Sequence, residues 1–263
     1  MTGCSPDFGR TASDYARHRA GFPAELLDRL AALDVGRHGA RVVDLGTGTG
    51  SLARLFAQRG CEVTGVDIAA PLLEQARQLD RDAGVRVTYV EGPAEATGLP
   101  TGAFDVASAG QCWHWFDRVA VAREANRLLV AGGSVVIAHF DWIPIPGNLV
   151  AATEQIILRH TPAWPFAGRA GLYPQWLTDL QSAGFTGIES FSFDVAVPYS
   201  HEDWVGRVRA SAPVAGTLDA AGVAACSSEL AQMLHENFAD DPLSVPHRVW
   251  AVVARTGQRE AHE

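Results

Sequence analysis

The sequence predicts an α/β fold, an open and mostly parallel sheet with helices on both faces. Three observations predict it. Short β-branched runs alternate with longer stretches of helical period along the first 140 residues. The run Val42-Val43-Asp44-Leu45-Gly46-Thr47-Gly48-Thr49-Gly50 reads as a strand that ends in a carboxylate and breaks into a glycine-rich turn before a helix. The next strand, Cys61-Glu62-Val63-Thr64-Gly65-Val66-Asp67, ends in a second carboxylate about 20 residues beyond the glycines.

Taken in order, strands are expected near 41–45, 61–66, 86–90, 104–109 and 133–139, with helices near 50–59, 70–80 and 117–129 between them. Right-handed crossovers between such strands build a parallel sheet. Beyond the fifth strand Pro144, Pro146, Pro162, Pro165 and Pro174 punctuate a stretch rich in aromatics, which reads as an insertion. Ile188–Val197 and His247–Ala254 read as two further strands, with helices over Ser200–Ala210 and Ala220–Phe238.

Composition narrows the function. The 263 residues and 47% hydrophobic content suit one domain with insertions. A formal net charge of −9 with no Lys/Arg-dense run excludes nucleic acid as the expected partner. No apolar run reaches the ~20 residues that span a bilayer, and the first residues lack a signal peptide's pattern, so no membrane partner and a cytoplasmic location are expected. Cys4, Cys61, Cys112 and Cys226 are too scattered for a disulfide framework or a zinc site, and no metal is expected.

Alternating glycines let a flat ligand lie against the backbone between strand and helix. Gly48-Thr49-Gly50-Ser51-Leu52-Ala53 also fits the dinucleotide pattern. Asp44 opposes that reading, because a carboxylate repels a pyrophosphate where the helix N-terminus would neutralise it. An acid there suits a ligand bearing an ammonium or sulfonium, and Asp67 at its spacing suits the hydroxyls of a ribose.

With Asp44 followed by Gly46, Gly48 and Gly50, the chain resembles the class I S-adenosylmethionine-dependent methyltransferases. Glu91-Gly92-Pro93-Ala94-Glu95, Phe104-Asp105-Val106-Ala107-Ser108-Ala109 and Leu128-Leu129-Val130-Ala131-Gly132-Gly133 extend the resemblance over roughly residues 10–140. Gln111-Cys112-Trp113-His114-Trp115-Phe116-Asp117 is similar to the type 11 small-molecule branch that includes trans-aconitate methyltransferase-like enzymes, as are Tyr15, Arg19, Phe22 and Pro23. That branch usually has Arg-Pro followed by an aromatic and proline, whereas Arg19 is followed by Ala20 and Gly21.

The resemblance implies a Rossmann-like seven-stranded sheet whose last two strands form an antiparallel pair. It further implies a single domain over 1–263, with a core at about 36–140 and 184–256, an N-terminal lid at about 10–33 and cap insertions at about 141–180 and 200–240. S-adenosyl-L-methionine is the expected cofactor, bound by Tyr15, Arg19, Asp44, Gly46, Thr47, Gly48, Asp67, Ile68, Ala94, Glu95, Ser108 and Gln111.

The acceptor is expected to be a small molecule methylated on O, N or C, chiefly through proximity and exclusion of water, by a monomer or homodimer. His114 and His139, just past the fourth and fifth strands, are the candidate bases, since a near-neutral imidazole can take a proton from the acceptor. Either can equally be structural. Trp113, Trp115 and Trp142 are candidate acceptor contacts, against a core role that aromatics commonly fill. Two rival functions stand beside this one: an NAD(P)-dependent oxidoreductase using Gly48, Gly50 and Ala53, and a non-methylating or cyclising protein that binds the adenosyl cofactor on the same fold.

Overall fold

A computed structural model describes residues 20–257; Tyr15 and Arg19 lie outside them. The described elements are α1 (Glu25–Ala32), β1 (Arg41–Leu45), α2 (Ser51–Gln58), β2 (Glu62–Asp67), α3 (Ala70–Ala83), β3 (Thr88–Glu91), β4 (Phe104–Gly110), a 3-10 turn (Trp113–Trp115), α4 (Arg118–Leu128), β5 (Leu129–Trp142), α5 (Leu149–His160), α6 (Gln175–Ser182), β6 (Thr186–Tyr199), α7 (His201–Arg209), α8 (Ala212–Ala215), α9 (Ala220–Asn237) and β7 (Leu243–Arg255).

Seven strands form one sheet in the order β3-β2-β1-β4-β5-β7-β6. The pairs β1–β2, β1–β4, β2–β3 and β4–β5 are parallel. This is the Rossmann-like arrangement expected from the sequence. Chain order reverses at β1, between β2 and β4, and an open parallel sheet binds ligands at the carboxyl ends of its strands at such a point. In register, Asp44 of β1 pairs with Gly65 of β2 on one side and Ser108 of β4 on the other.

Local chemistry explains where the helices around this edge begin and end. α2 starts directly after Gly50, which takes the left-handed conformation at φ 75°. α3 begins with Pro71 in its first turn and stops at Gly84, also left-handed at φ 67°. Asp117 caps α4 by accepting the amides of Val119 and Ala120.

The chain divides into two compact units. The first comprises Gly21–Phe140, Tyr173–Phe193 and the described residues from Val249. Its core joins Val43, Leu45, Ala107 and Ile137 of the sheet to Leu128 of α4, Trp176 and Leu180 of α6, and Trp250. The second includes Asp141–Leu172 and Asp194–Arg248, with its own core of Leu149, Val150, Ile156, Ile157, Trp204, Leu230 and Leu234.

The stretch expected as an insertion over 141–180 contributes to both units. Its last part, from Tyr173 through α6, packs in the core of the sheet-bearing unit through Trp176 and Leu180. The stretch expected as part of a helical cap contains α5; the prolines around it all lie outside the helix, and Asn148 caps its start by accepting the Ala151 amide.

Candidate active site

Two carboxylates end adjacent strands and differ in setting. Asp44 is 1% exposed, with Oδ1 accepting the Ser108 hydroxyl at 2.6 Å and Oδ2 accepting the Thr47 hydroxyl at 2.7 Å. Burial pushes its carboxyl up to about 6, against the opposing pull of the two hydroxyls and the Ala53 amide. Asp67 is only half-buried, and its oxygens accept the Gly48 amide at 2.8 Å and the Ala69 amide at 2.9 Å. One acid is sealed beneath the glycine turn; the other ties that turn to the end of β2.

The three glycines of the turn serve different purposes. All are left-handed, at φ 64°, 55° and 75° for Gly46, Gly48 and Gly50. A Cβ on Gly46 would meet the Phe116 ring at 2.6 Å and the Cys112 sulfur at 2.9 Å, and one on Gly50 would overlap the Tyr89 hydroxyl. A Cβ on Gly48 would meet nothing within 4 Å. The protein's own packing therefore requires Gly46 and Gly50 to be bare, while Gly48 alone leaves open space beside the backbone.

Around this turn lie other residues expected at the site. Ile68, beside Asp67, is 71% exposed. Ala94 is buried, and Glu95 accepts the Asp117 amide at 3.1 Å, at the start of α4. Gln111 holds a left-handed φ of 66°, uncommon for a residue with a side chain. Its amide donates to Ala138 at 2.9 Å and its side chain donates to the Phe140 carbonyl, which joins the ends of β4 and β5.

Beyond β4 the two histidines come together. The rings of His114 and His139 are 5.3 Å apart and edge-on. His139 is 2% exposed and packs at 4.4 Å from Tyr173 and 4.7 Å from Trp176, which stack on each other at 4.1 Å. Trp250 closes the cluster edge-on against both.

The three tryptophans expected to line an acceptor pocket differ in their own surroundings. Trp113 is fully buried in the core, and its indole donates to Asp179 at 3.0 Å. That burial assigns it to packing: the 3-10 turn drives it inward while its neighbour Trp115 remains 44% exposed beside His114. Trp142 belongs to the second unit, where its indole donates to buried Glu154 at 3.0 Å and the Arg207 guanidinium lies 4.8 Å from its ring.

Sequence reading missed two groups. Arg54, Asp80 and Tyr89 form a polar network behind the turn, and Tyr173, Trp176 and Trp250 surround His139. Residues so far apart in the chain give no local signal.

Residues 43–137 match a family described as a methyltransferase domain. This segment is similar to methyltransferase domains. It contains the whole glycine turn, Asp67, Glu95 and His114. A demethylmenaquinone methyltransferase of Thermus thermophilus is 37% identical over 128 residues, 47% of this chain and 58% of that protein. A malonyl-[acyl-carrier protein] O-methyltransferase of Salmonella typhimurium is 36% identical over 129 residues, 49% of each chain. The chain thus spans about half the length of the curated relatives it matches. In fold, the chain resembles the YcgJ protein of Bacillus subtilis, with a TM-score of 0.57 at 19% identity over 89% of this chain and 98% of that one.

Among the described residues, no cluster of three or more His, Cys, Asp or Glu is placed to hold a metal ion. No described helix is long and apolar enough to cross a membrane.

Proposed function

We propose that this chain is an S-adenosylmethionine-dependent methyltransferase acting on an O, N or C atom of a small-molecule acceptor. The observation that carries the reading is the turn after β1: an open face at Gly48 between the buried acid Asp44 and the half-exposed acid Asp67. Two acids flanking bare backbone suit a cationic amino-acid moiety and a ribose diol, and they repel the pyrophosphate that a dinucleotide would bring. A relative named as a demethylmenaquinone methyltransferase supports a small-molecule acceptor.

When bound, the cofactor supplies an electrophilic methyl on a sulfonium. The chain's own work is then to hold and to shield. Gly48 allows close approach of the backbone, Asp67 fixes the loop's amide, and Ser108 and Thr47 keep the Asp44 carboxylate oriented beneath it. Exposed Ile68 offers an apolar surface next to Asp67 for the adenine. Glu95 and Gln111 contribute polar edges at the ends of β3 and β4, and Trp115 an apolar surface beside His114. His114 is the group to receive a proton from the acceptor, with His139 packed behind it.

Tyr15 and Arg19 are retained as contacts to the cofactor's amino-acid end, and Trp142 as an acceptor contact. The chain is read as one methyltransferase domain with cap insertions at about 141–180 and 200–240. A cytoplasmic monomer or homodimer completes the reading.

Calorimetric titration with S-adenosylmethionine and S-adenosylhomocysteine, beside NADH and NADPH, tests the proposal. Binding of the adenosyl pair alone is expected, and binding of a dinucleotide alone would overturn it. Should His114→Ala abolish transfer while cofactor affinity survives, obligate base catalysis replaces proximity as the source of rate.

A further inference from the structure

Behind the glycine turn, three side chains from α2, α3 and β3 meet in a nearly closed polar network. The Arg54 Nε lies 3.0 Å from Asp80 Oδ1, with side chains only 15% and 6% exposed. The other oxygen of Asp80 accepts the Tyr89 hydroxyl at 2.8 Å. Arg54 then reaches forward, one terminal nitrogen donating to the Thr49 carbonyl at 2.7 Å and lying 3.5 Å from that of Ala76. The Tyr89 hydroxyl also occupies the space that a Cβ on Gly50 would fill.

A buried ion pair is a poor source of stability, because its desolvation cost cancels much of the attraction and apolar pairs of similar volume commonly serve as well. Its strength is geometric: a guanidinium held on one edge can present another edge at a fixed place. Here the presented edge meets the carbonyl between Gly48 and Gly50.

We propose that Arg54, locked by Asp80 and Tyr89, is a positioning residue that sets the glycine turn for the adenosyl cofactor. This rests on the cofactor reading above. Arg54 is the group that acts; Asp80 fixes its guanidinium, and Tyr89 holds Asp80 while filling the space beside Gly50. Burial and the Asp80 carboxylate both hold the Tyr89 hydroxyl in its protonated, donating form. The device stiffens the loop before ligand arrives, so that binding does not have to order it.

S-adenosylhomocysteine affinity and thermal stability, measured together on wild type, Arg54→Met, Asp80→Leu, the Arg54→Met/Asp80→Leu double variant and Tyr89→Phe, test the idea. Either single charge removal leaves its partner buried and is expected to lower the melting temperature and weaken affinity about tenfold or more. The double variant separates the roles: melting temperature returns toward wild type while affinity stays about tenfold weak. If affinity recovers with stability, or never falls, the network is structural only and the proposal is overturned. Tyr89→Phe keeps the ring and the fold, and its expected loss is about threefold in affinity; wild-type affinity there would likewise count against the proposal. Failure of the wild-type protein to bind S-adenosylhomocysteine would instead overturn the cofactor reading itself.

Discussion

The glycine turn after β1 and the aromatic cluster around His139 both belong to the sheet-bearing unit, yet they are held in opposite ways. In the turn, hydrogen bonds of 2.6–2.8 Å join Asp44 to Thr47 and Ser108, and Asp67 to Gly48, with positive φ angles at three glycines. In the cluster, rings from positions 114, 139, 173, 176 and 250 stack and cross at 4.1–5.8 Å. One site is specified by direction and backbone shape, the other by volume. Substitutions at the open face of the turn should therefore damage ligand binding, and those that disturb packing, in the cluster or behind the turn, should damage stability.

The largest expected effect falls on the cluster. Trp176→Ala removes a fully buried indole stacked on Tyr173 and should cost about 3–5 kcal/mol in urea unfolding. The folded fraction should keep its S-adenosylhomocysteine affinity; a matching loss of affinity would break the contrast. Gly50→Ala comes next, at about 2–4 kcal/mol, because the new methyl overlaps the Tyr89 hydroxyl and the left-handed φ adds strain. Gly48→Ala should cost only the strain, about 1–2 kcal/mol, since its methyl meets no protein atom. It should nevertheless weaken cofactor binding more than its stability loss suggests, and unaltered affinity would show that the open face is not the binding face.

Two carboxyls sharpen the comparison through pH. Asp44, pushed up to about 6 from 3.8, favours its neutral form in the fold, so its contribution to stability is present below pH 3.8 and lost as pH rises through 6. Binding of a cationic ligand needs the ionised form, so affinity should fall about tenfold per pH unit below 6, and Asp44→Asn should flatten that slope. Glu124 has the opposite sign. Arg127, with help from Thr97, pulls it down to about 2 from 4.5, so its stabilisation is present above pH 4.5 and disappears as pH falls toward 2. Glu124→Gln should remove that acid limb from a stability–pH curve and leave cofactor affinity unchanged, the smallest of these effects.

How much could be read in advance follows the same division. The strand ends, the turn, both carboxylates and the helix starts at Gly50 and Asp117 were legible, because each rests on residues within a few positions of one another. Trp113 was misleading: its chain neighbours His114 and Trp115 suggested a shared pocket, and a single 3-10 turn sends it into the core instead. Glu95 was equally ambiguous, and its engagement with the Asp117 amide is visible only once β3 and α4 are placed.

The sequence alone determined the parallel α/β sheet, the left-handed glycine turn and the acids that end β1 and β2, since periodicity, Cβ sterics and strand alternation are local properties. Tertiary structure decided which glycine faces open space, how strongly burial and paired hydroxyls perturb Asp44, and that Arg54, Asp80 and Tyr89 would brace the turn from behind. It also gathered His114, His139, Tyr173, Trp176 and Trp250 from across 137 positions of chain. Burial, partner identity and packing space arise only when distant segments meet, and no window of sequence contains them.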